Sequence, residues 1–407
     1  MKKQRIAIVG AGPAGLAAAL YLHRAGHDVK LLERFAAPSP LGSGLILQPT
    51  GLTVLSDLGL FDRIASLGNR IDRLYGADAL SGRAVLDVRY AALKSGRYGI
   101  AVHRAALFDV LYQAVLQAGI DIKTNVDVVT MDTGNGRAWL MTSTGRSIGT
   151  FDLVVDASGS RSRLKQFAIH PCEPEPLTYG AFWTSLKWHG EGFDTRSLLQ
   201  RYRKAGVMIG VLPIGRTEVG GDDMAAFFWS TKPDEAEALR AAGIESWKDR
   251  VLSLWPECSA YTDQIGGFDD MTLARYGHHT LAMPAGRHLA VIGDAAHSTS
   301  PQLGQGANMA LLDARALAHA LTTSTELDAA LSAYAASRRT HVRGFQALSR
   351  AFTPFYQSDS TLLPFARDWV VPTVARIPPA PQLLASMVSG TLIDPFRPIG
   401  LREKAWF

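Results

Sequence analysis

The first apolar run of the chain is short, β-branched and followed at once by glycine. Ile6–Val9 is typical of a buried parallel strand, and the run Ala17–Leu22 behind it favours a helix. Gly26 ends this predicted helix, and Val29–Leu32 forms a second predicted strand. This order of strand, glycine turn, helix and strand predicts a Rossmann-like α/β unit at the N-terminus.

A second junction of the same kind comes far along the chain. His288–Ile292 reads as another buried strand, and it runs directly into Gly293-Asp294. A helix is predicted from Asn308, because the apolar residues that follow recur at helical spacing. The two junctions therefore predict one discontinuous α/β domain, formed by residues 1–169 and 276–345.

The residues between these two parts have a different pattern. Three segments, 180–188, 207–215 and 225–231, are β-branched and aromatic and are separated by Gly, Pro and Asp turns. They predict an inserted antiparallel β-sheet domain over residues 170–275. Residues 346–407 are predicted to form a helical C-terminal region, a lid or a dimer contact.

Composition narrows the class of protein. The 407 residues are 47% hydrophobic and 19% charged, which is typical of a globular protein rather than a disordered one. A net charge of +5 suits anionic ligands and argues little for nucleic acid. Residues 1–5 are too short for a signal peptide, and no run of about twenty apolar residues predicts a membrane span. Cys172 and Cys258 have no metal-ligand spacing, so we expect two reduced thiols, no metal and a cytoplasmic protein.

The N-terminal glycines have the spacing of a dinucleotide-binding turn. Gly10 allows the tight turn, Gly12 lets the backbone approach a pyrophosphate, and Gly15 lets the helix pack closely on the strand. The helix N-terminus then offers amide donors to phosphate. Glu33 ends the second strand, where such folds place the acid that binds ribose hydroxyls, and it disfavours a 2′-phosphate at this site.

The second glycine segment adds the features that a longer ligand needs. Asp294, at a strand end, can accept hydrogen bonds from a sugar or sugar-alcohol chain. The loop 298–306 contains Pro301, Gly304 and Gly306, so its backbone can lie flat against a planar ring. The helix predicted from Asn308 would stabilise negative charge on that ring. Two such loops, this far apart, predict one long dinucleotide held at both ends, namely FAD.

Together, GAGPAG (10–15), Glu33 and GDAAHSTSPQLGQGANMALLDA (293–314) resemble the single-component FAD-dependent aromatic hydroxylases, the family that includes p-hydroxybenzoate hydroxylase. The resemblance implies a Rossmann-like FAD-binding domain of the glutathione-reductase type with the inserted sheet as substrate domain. It assigns Glu33 to the adenosine ribose, Asp294 to the ribityl chain and the backbone of 301–308 to the isoalloxazine. HRAAL at 103–107 matches the segment of the family's FAD-contacting arginine, here Arg104, and 42–51 matches the loop beside flavin and substrate. The implied FAD-binding residues are Gly10, Gly12, Pro13, Ala14, Gly15, Glu33, Arg34, Arg104, Val126, Gly293, Asp294, Pro301, Gly304, Gly306, Ala307 and Asn308.

The activity implied by the resemblance is hydroxylation of an aromatic small molecule. NADH or NADPH would serve as transient reductant and O2 as oxidant, through a flavin hydroperoxide. Gln48 is a candidate for orienting the substrate. Trp183, Met208 and Trp229 are candidate walls of the substrate site, although such residues are more often sheet core. His297 is a weak candidate for proton transfer in catalysis, since a histidine at this position could instead form a hydrogen bond that fixes its loop. A homodimer is possible, and the sequence does not decide the oligomeric state.

One segment departs from the family pattern. Ser158 stands where the family has Asp, and Lys165 where it has Arg. Asp156 lies two positions early and is not expected to substitute simply, while Arg161 and Arg163 are candidates for a pyridine nucleotide phosphate. This departure keeps open an alternative, an FAD-dependent reductase or dehydrogenase that acts without oxygen. A flavoprotein that only senses or scaffolds has little support.

Overall fold

The first predicted unit lies at the centre of a six-stranded sheet. The computed structural model describes residues 1–37, 43–93, 96–360, 362–369, 375 and 377–403. In spatial order the strands are β20 (Ala285–Gly286), β21 (Leu289–Val291), β12 (Leu153–Asp156), β1 (Arg5–Val9), β2 (Asp28–Leu32) and β8 (Asp121–Lys123). β1 pairs in parallel with β2 on one side and with β12 on the other, and only the edge strand β20 runs antiparallel.

Helices cover this sheet and close the largest apolar core. The first, α1, packs between neighbours that come from distant parts of the chain, and its small residues Ala17–Ala19 are fully buried against them. The helices of this part are α1 (Pro13–Arg24), α2 (Pro49–Asp57), α3 (Phe61–Leu67), α4 (Arg104–Gln117), α8 (Gly306–Thr323) and α9 (Leu327–Tyr356). The predicted discontinuous α/β domain is therefore present.

Three small sheets complete this domain. They are β3 (Gly44–Leu47) with β7 (Gly99–His103) and β4 (Asn69–Ile71); β9 (Val128–Gly134) with β10 (Arg137–Thr142) and β11 (Ser147–Phe151); and the pair β13 (Glu175–Pro176) and β19 (Gly277–His278). All of their pairings are antiparallel. The β3 strand leads directly into the candidate residue Gln48 and into α2.

The inserted domain is a seven-stranded sheet. Its order is β18 (Thr272–Ala274), β14 (Gly180–Lys187), β17 (Met224–Thr231), β16 (Val207–Gly215), β15 (Ser197–Arg203), β5 (Arg73–Asp78) and β6 (Ala84–Arg89). The three predicted strands are confirmed as β14, β16 and β17. All neighbours are antiparallel except β15 and β5, which run in parallel.

Each face of this sheet packs against a different layer. One face, with Phe182 and Trp229, is covered by α5 (Pro233–Ala242), α6 (Ile244–Leu254) and α7 (Ser259–Thr262). The other, with Leu212 and Ala226, packs on β3, β7 and the helix α11 (Ala380–Val388). The second face is therefore the one turned toward the α/β domain.

Two predicted boundaries are corrected by the strand pairing and by a helix. β5 and β6 belong to the seven-stranded sheet although the sequence analysis placed them in the α/β domain. The boundary at 345/346 falls inside α9, which continues to Tyr356. The C-terminal region is helical as predicted where it is described, with α10 (Leu362–Trp369) and α11, and residues 361, 370–374, 376 and 404–407 lie outside the described ranges. Among the described helices, none is long and apolar enough to cross a membrane.

Candidate functional site

The glycine turn after β1 is packed so tightly that two of its glycines cannot be replaced freely. Gly10 has φ +104°, and a Cβ there would lie 2.5 Å from the carbonyl oxygen of Ala157. A Cβ on Gly15 would lie 1.9 Å from the carbonyl oxygen of Gly10. Both positions therefore need glycine for the fold itself, because either side chain would enter backbone.

Gly12 has the opposite environment. It has an ordinary extended conformation, and no heavy atom outside its chain neighbours lies within 4 Å of the position that its Cβ would take. It precedes α1, which starts with Pro13 and has no side-chain cap. The first-turn N–H groups of α1 consequently face open space beside Gly12, which is the arrangement that binds phosphate at helix N-termini.

Glu33 lies at the mouth of this turn. Its carboxylate is buried and accepts hydrogen bonds from the backbone N–H of Ala11 at 2.8 Å and of Phe35 at 3.1 Å. The N–H of Val126 donates to the carbonyl of Glu33 at 2.9 Å. Arg34 is exposed and stacks over the ring of Phe35 at 4.6 Å. The predicted acid is thus held rigidly beside the glycine turn, with Val126 next to it.

The second glycine segment meets the first. Gly293 has φ +62°, and a Cβ on it would lie 3.1 Å from the Cβ of Ala14. Asp294 is exposed, and its side chain makes no hydrogen bond within the described part of the chain. Its Oδ1 points toward Gly306, 3.8 Å from the position of a Cβ there. Two segments almost three hundred residues apart therefore lie side by side, and we call the space that they border the cleft.

The loop that follows ends in an open helix. Ser300 caps a short turn, Pro301–Leu303, and Gly304 has the left-handed conformation with φ +60°. α8 then begins at Gly306, two residues before the predicted start, and has no side-chain cap. The N–H groups of the first turn of α8, including that of Ala307, are the second set of open donors in this cleft.

Asn308 does not start the helix but ties two loops together. Its side chain is fully buried, and its Oδ1 accepts from the N–H of Gln48 at 2.8 Å. Its Nδ2 donates to the carbonyls of Ile46 at 3.1 Å and of Gly304 at 2.9 Å. These three bonds use the polar atoms of the Asn308 amide, so this side chain joins the loop before α2 to the loop before α8.

Gln48 is oriented by a second buried hydrogen bond. The hydroxyl of Tyr90 donates to its Oε1 at 2.5 Å, and Gln48 is almost fully buried. This bond fixes the amide so that Nε2 points toward Gly304, 3.8 Å from the position of a Cβ there. Of the predicted loop 42–51, Gly42 lies outside the described residues.

His297 is part of a buried charged network rather than a free base. Its Nε2–H donates to Oδ2 of Asp313 at 2.6 Å, and the N–H of Gly293 donates to the same oxygen at 2.9 Å. Arg338 Nε donates to Oδ1 of Asp313 at 2.7 Å. Burial alone would raise the pKa of Asp313, but His297 and Arg338 outweigh it and lower the pKa to about 2. The bonds show the loop-fixing role that the sequence left open.

Trp183 lies on the face of the seven-stranded sheet that is turned toward the α/β domain. Its indole N–H donates to the hydroxyl of Tyr276 at 2.7 Å, and its ring packs on Phe228 with centroids 4.6 Å apart. The pKa of Tyr276 is raised, because burial outweighs the hydrogen bond from Trp183 and the charge of Arg104, which both lower it. Arg104 is exposed at the start of α4. Trp183 and Tyr276 therefore form one hydrogen-bonded pair.

The two other candidate walls are placed differently. Met208 lies on the same face as Trp183, in a buried cluster with Tyr202 and Phe228. Trp229 lies on the opposite face, is only 1% exposed and packs edge-on against Trp247 of α6. Because α5 and α6 cover this face, Trp229 is sheet core, and its prediction as a substrate wall is corrected.

Segment 156–165, which differs from the family pattern, forms a turn that the carboxylate of Asp156 stabilises. The carboxylate of Asp156 accepts from the N–H and hydroxyl of Ser158, at 3.1 and 2.6 Å, and from the hydroxyl of Ser162 at 2.5 Å. Burial raises the pKa of Asp156, and these bonds oppose that rise. Lys165 is buried and pairs with Glu173 at 3.1 Å, whereas Arg161 is exposed. Asp156, although two positions early, therefore reaches into the turn that packs on Gly10.

Asp313, Arg338 and Tyr276 were not predicted from the sequence. Asp313 interrupts the apolar pattern of α8, and that interruption was the one available indication of a buried ion pair. Its partner Arg338 lies on another helix, and Tyr276 lies at the junction between the domains. Neither pairing has a local sequence pattern.

The cleft fits FAD at both ends. Open helix N-termini lie at Gly12 and Gly306, one carboxylate is fixed at Glu33, and another is exposed at Asp294. The empty position beside Gly12 is the space that a pyrophosphate would need.

The family comparison agrees with this fit. A family model described as an FAD binding domain matches residues 3–349. The chain is 28% identical over 342 residues to 6-hydroxynicotinate 3-monooxygenase of Bordetella bronchiseptica, covering 77% of this chain and 82% of that protein. It is 25% identical over 344 residues to the FAD-dependent urate hydroxylase of Klebsiella pneumoniae, covering 83% and 86%.

A solved structure has the same fold. The crystal structure of Klebsiella pneumoniae HpxO complexed with FAD and uric acid superposes with a TM-score of 0.78 at 19% identity, over 95% of this chain and 97% of that one. The family match and the relatives favour a monooxygenase over the oxygen-independent alternative.

Proposed function

This chain belongs to the FAD binding domain family, among the FAD-dependent aromatic hydroxylases, and we propose that it hydroxylates a small aromatic molecule with O2 and NAD(P)H. It is an FAD-dependent monooxygenase. The observation that carries the proposal is the contact between Ala14 and Gly293, which joins the two glycine segments into one cleft.

The first glycine segment binds the adenosine half in this proposal. The N-terminus of α1, which begins at Pro13, donates the backbone N–H groups of Ala14 and Gly15 to the pyrophosphate beside Gly12. An ionised carboxylate has about four acceptor sites. Glu33 uses one for Ala11 and one for Phe35, so both of its oxygens retain a lone pair for the two ribose hydroxyls.

The second segment binds the flavin half. Asp294, which has no hydrogen-bond partner among the described residues, accepts from the ribityl hydroxyls, while the backbone of 301–308 lies along the ring. The N-terminus of α8 stabilises negative charge there, since its dipole ends at Gly306 without a cap. When bound, FAD supplies the electron transfer and the activation of oxygen that no side chain can supply.

The substrate binds on the sheet face that carries Trp183. The ring of Trp183 offers an apolar wall, and Met208 lies deeper on the same face. Because Tyr276 already accepts from Trp183, its own proton is free to donate to a polar substituent on the substrate. Gln48 orients the substrate or the ring with the amide group that Tyr90 holds in place.

The reductant is the pyridine nucleotide NADH or NADPH. Arg161 is exposed on the turn that packs against Gly10, and Arg163 lies 4.0 Å from Asp127. Their charges suit a transient anionic donor. We further propose a cytoplasmic location, because the chain has the composition of a globular protein and only two cysteines, which suits a reducing compartment.

The direct test follows oxygen and NAD(P)H together. The purified holoenzyme should consume both in equal amounts when an aromatic substrate from a panel of hydroxylated and carboxylated rings is added. A hydroxylated product should appear with the same stoichiometry. Reduction of the substrate that continues unchanged without oxygen would instead establish the reductase alternative.

A further inference from the structure

The network around Asp313 holds the FAD-binding loop at two points. The N–H of Gly293 and the imidazole of His297 bind one carboxylate oxygen, and Arg338 binds the other. Asp313 is fully buried, and the side chains of Arg338 and His297 are 2% and 4% exposed. The position of loop 293–297 therefore depends on α9, which carries Arg338.

The network continues from α9 into the end of the chain. His341 Nε2 donates to the carbonyl of Gly390 at 2.9 Å, so its Nδ1 is the acceptor facing Arg338 Nη2 at 3.5 Å. Burial, then the charge of Arg338, lowers the pKa of His341 to about 3, so the ring is neutral near pH 7. A neutral ring with one donor and one acceptor fits both neighbours.

A second link joins the same two regions independently. Gln305, just before α8, donates from Nε2 to the carbonyl of Val388 at 2.7 Å. Gly390 has φ +80°, and a Cβ there would lie 2.8 Å from Gln305 Oε1 and 2.8 Å from Thr50 Oγ1. Residues 388–390 thus pack directly on the loop before α8 and on the start of α2.

These residues belong to a segment that the family match does not include. We call residues 377–403 the C-terminal segment; it lies wholly beyond residue 349, where the match ends. Its end is fixed elsewhere, because Phe396 and Ile399 join the main core and Glu403 pairs with Arg97. The C-terminal segment is therefore packed on the rest of the fold, and its residues 388–390 contact the loop before α8 and the helix α9.

We propose that Arg338 and His341 are positioning residues that tie the FAD-binding loop to the C-terminal segment, so that binding of FAD and docking of this segment reinforce each other. The coupling is reciprocal by thermodynamic necessity, so each event strengthens the other by the same factor. The inference rests on FAD binding and not on which aromatic molecule is hydroxylated.

The test compares His341→Phe with Arg339→Met. Phenylalanine keeps the ring that packs on Phe345 and removes both hydrogen bonds, whereas Arg339 is an exposed neighbour on the same helix. FAD affinity is measured by titrating apoprotein and following flavin fluorescence. We expect His341→Phe to weaken FAD about tenfold, within the usual range of coupling between sites, and Arg339→Met to change it less than about twofold.

The second readout is cleavage of the C-terminal segment. Chymotrypsin can cut after the exposed residues Leu383 and Leu392, which lie within this segment, and FAD should slow this cleavage in the unsubstituted protein. In His341→Phe the protection by FAD should fall by the same factor as the FAD affinity. A merely structural contact would change the cleavage rate equally with and without FAD.

Two outcomes overturn the proposal. One is an FAD affinity of folded His341→Phe equal to that of Arg339→Met, and the other is full protection by FAD in that variant. If His341→Phe does not fold, Arg338→Lys decides in its place, because lysine keeps the charge beside Asp313 but not the forked geometry that reaches His341. None of these measurements depends on finding hydroxylation.

Discussion

Among single residues, the glycines of the first turn are needed for two different reasons, one for binding the ligand and one for the fold. Gly12 and Gly15 belong to the same motif, but a Cβ on Gly12 meets no protein atom and a Cβ on Gly15 enters the carbonyl of Gly10. The motif alone assigns both roles in advance, and the packing distances agree with that assignment.

We therefore expect opposite results from two alanine substitutions. Gly12→Ala should change the free energy of unfolding of the apoprotein by no more than about 1 kcal/mol. It should weaken FAD on the order of a hundredfold, because the methyl group occupies the approach of the pyrophosphate.

Gly15→Ala, in contrast, should destabilise the apoprotein itself by about 3 kcal/mol through overpacking. Denaturant unfolding and FAD titration of both variants check the pair. Normal FAD affinity in Gly12→Ala would place the phosphates elsewhere.

At the scale of elements, local patterns predicted some parts well and missed others. The strand β1, helix α1 and strand β2 were predictable because their apolar spacing is local. β5 and β6 were missed because β5 pairs with β15, and this parallel pairing joins residues about 120 positions apart. The candidate walls on β14 and β17 were named together, although Trp183 and Trp229 prove to lie on opposite faces.

The two faces predict different effects of two tryptophan substitutions. Trp229→Ala should lower the free energy of unfolding by about 3–5 kcal/mol, since it empties a core position under α5 and α6. Trp183→Phe should cost about 1 kcal/mol, the value of one hydrogen bond, and raise the KM for the aromatic substrate severalfold. Unfolding curves and steady-state kinetics measure both. An unchanged KM in Trp183→Phe would remove this residue from the substrate site.

The burial of His341 on α9 leads us to expect that the free energy of unfolding depends on pH. The pKa of His341 is lowered in the folded protein to about 3, chiefly by burial, whereas the imidazole of an unfolded chain is protonated near pH 6.5. Its contribution to stability is therefore complete above about pH 6.5 and is lost as the pH falls toward 3. Between pH 7 and pH 5 this loss amounts to about 2 kcal/mol.

Replacing the imidazole should remove that part of the pH dependence. Unfolding free energies of His341→Phe should fall about 2 kcal/mol less than those of the unsubstituted protein over the same interval. Arg339→Met should keep the original slope. Parallel curves for all three proteins would show that His341 does not titrate in the unfolding transition.

At the scale of the whole molecule, the cleft is formed by segments that are far apart in the sequence. Ala14 touches the position of Gly293, Gly10 packs on Ala157, and Asn308 binds Gln48. The two glycine motifs, at 10–15 and 293–306, predicted that these segments bind one ligand, because the residues of each motif are close together in the sequence. The buried network from Asp313 to Gly390 could not be predicted, because its members lie on two helices and a distant turn and have no common pattern.

Isotope labelling tests whether the protein inserts an atom of O2 into its aromatic substrate. The holoenzyme is supplied with NAD(P)H and an accepted aromatic substrate under ¹⁸O2, and the product is analysed by mass spectrometry. We predict one ¹⁸O atom in each hydroxylated product molecule and none when the label is in water. A product formed at the same rate without oxygen, or one that takes its oxygen from water, would contradict the account.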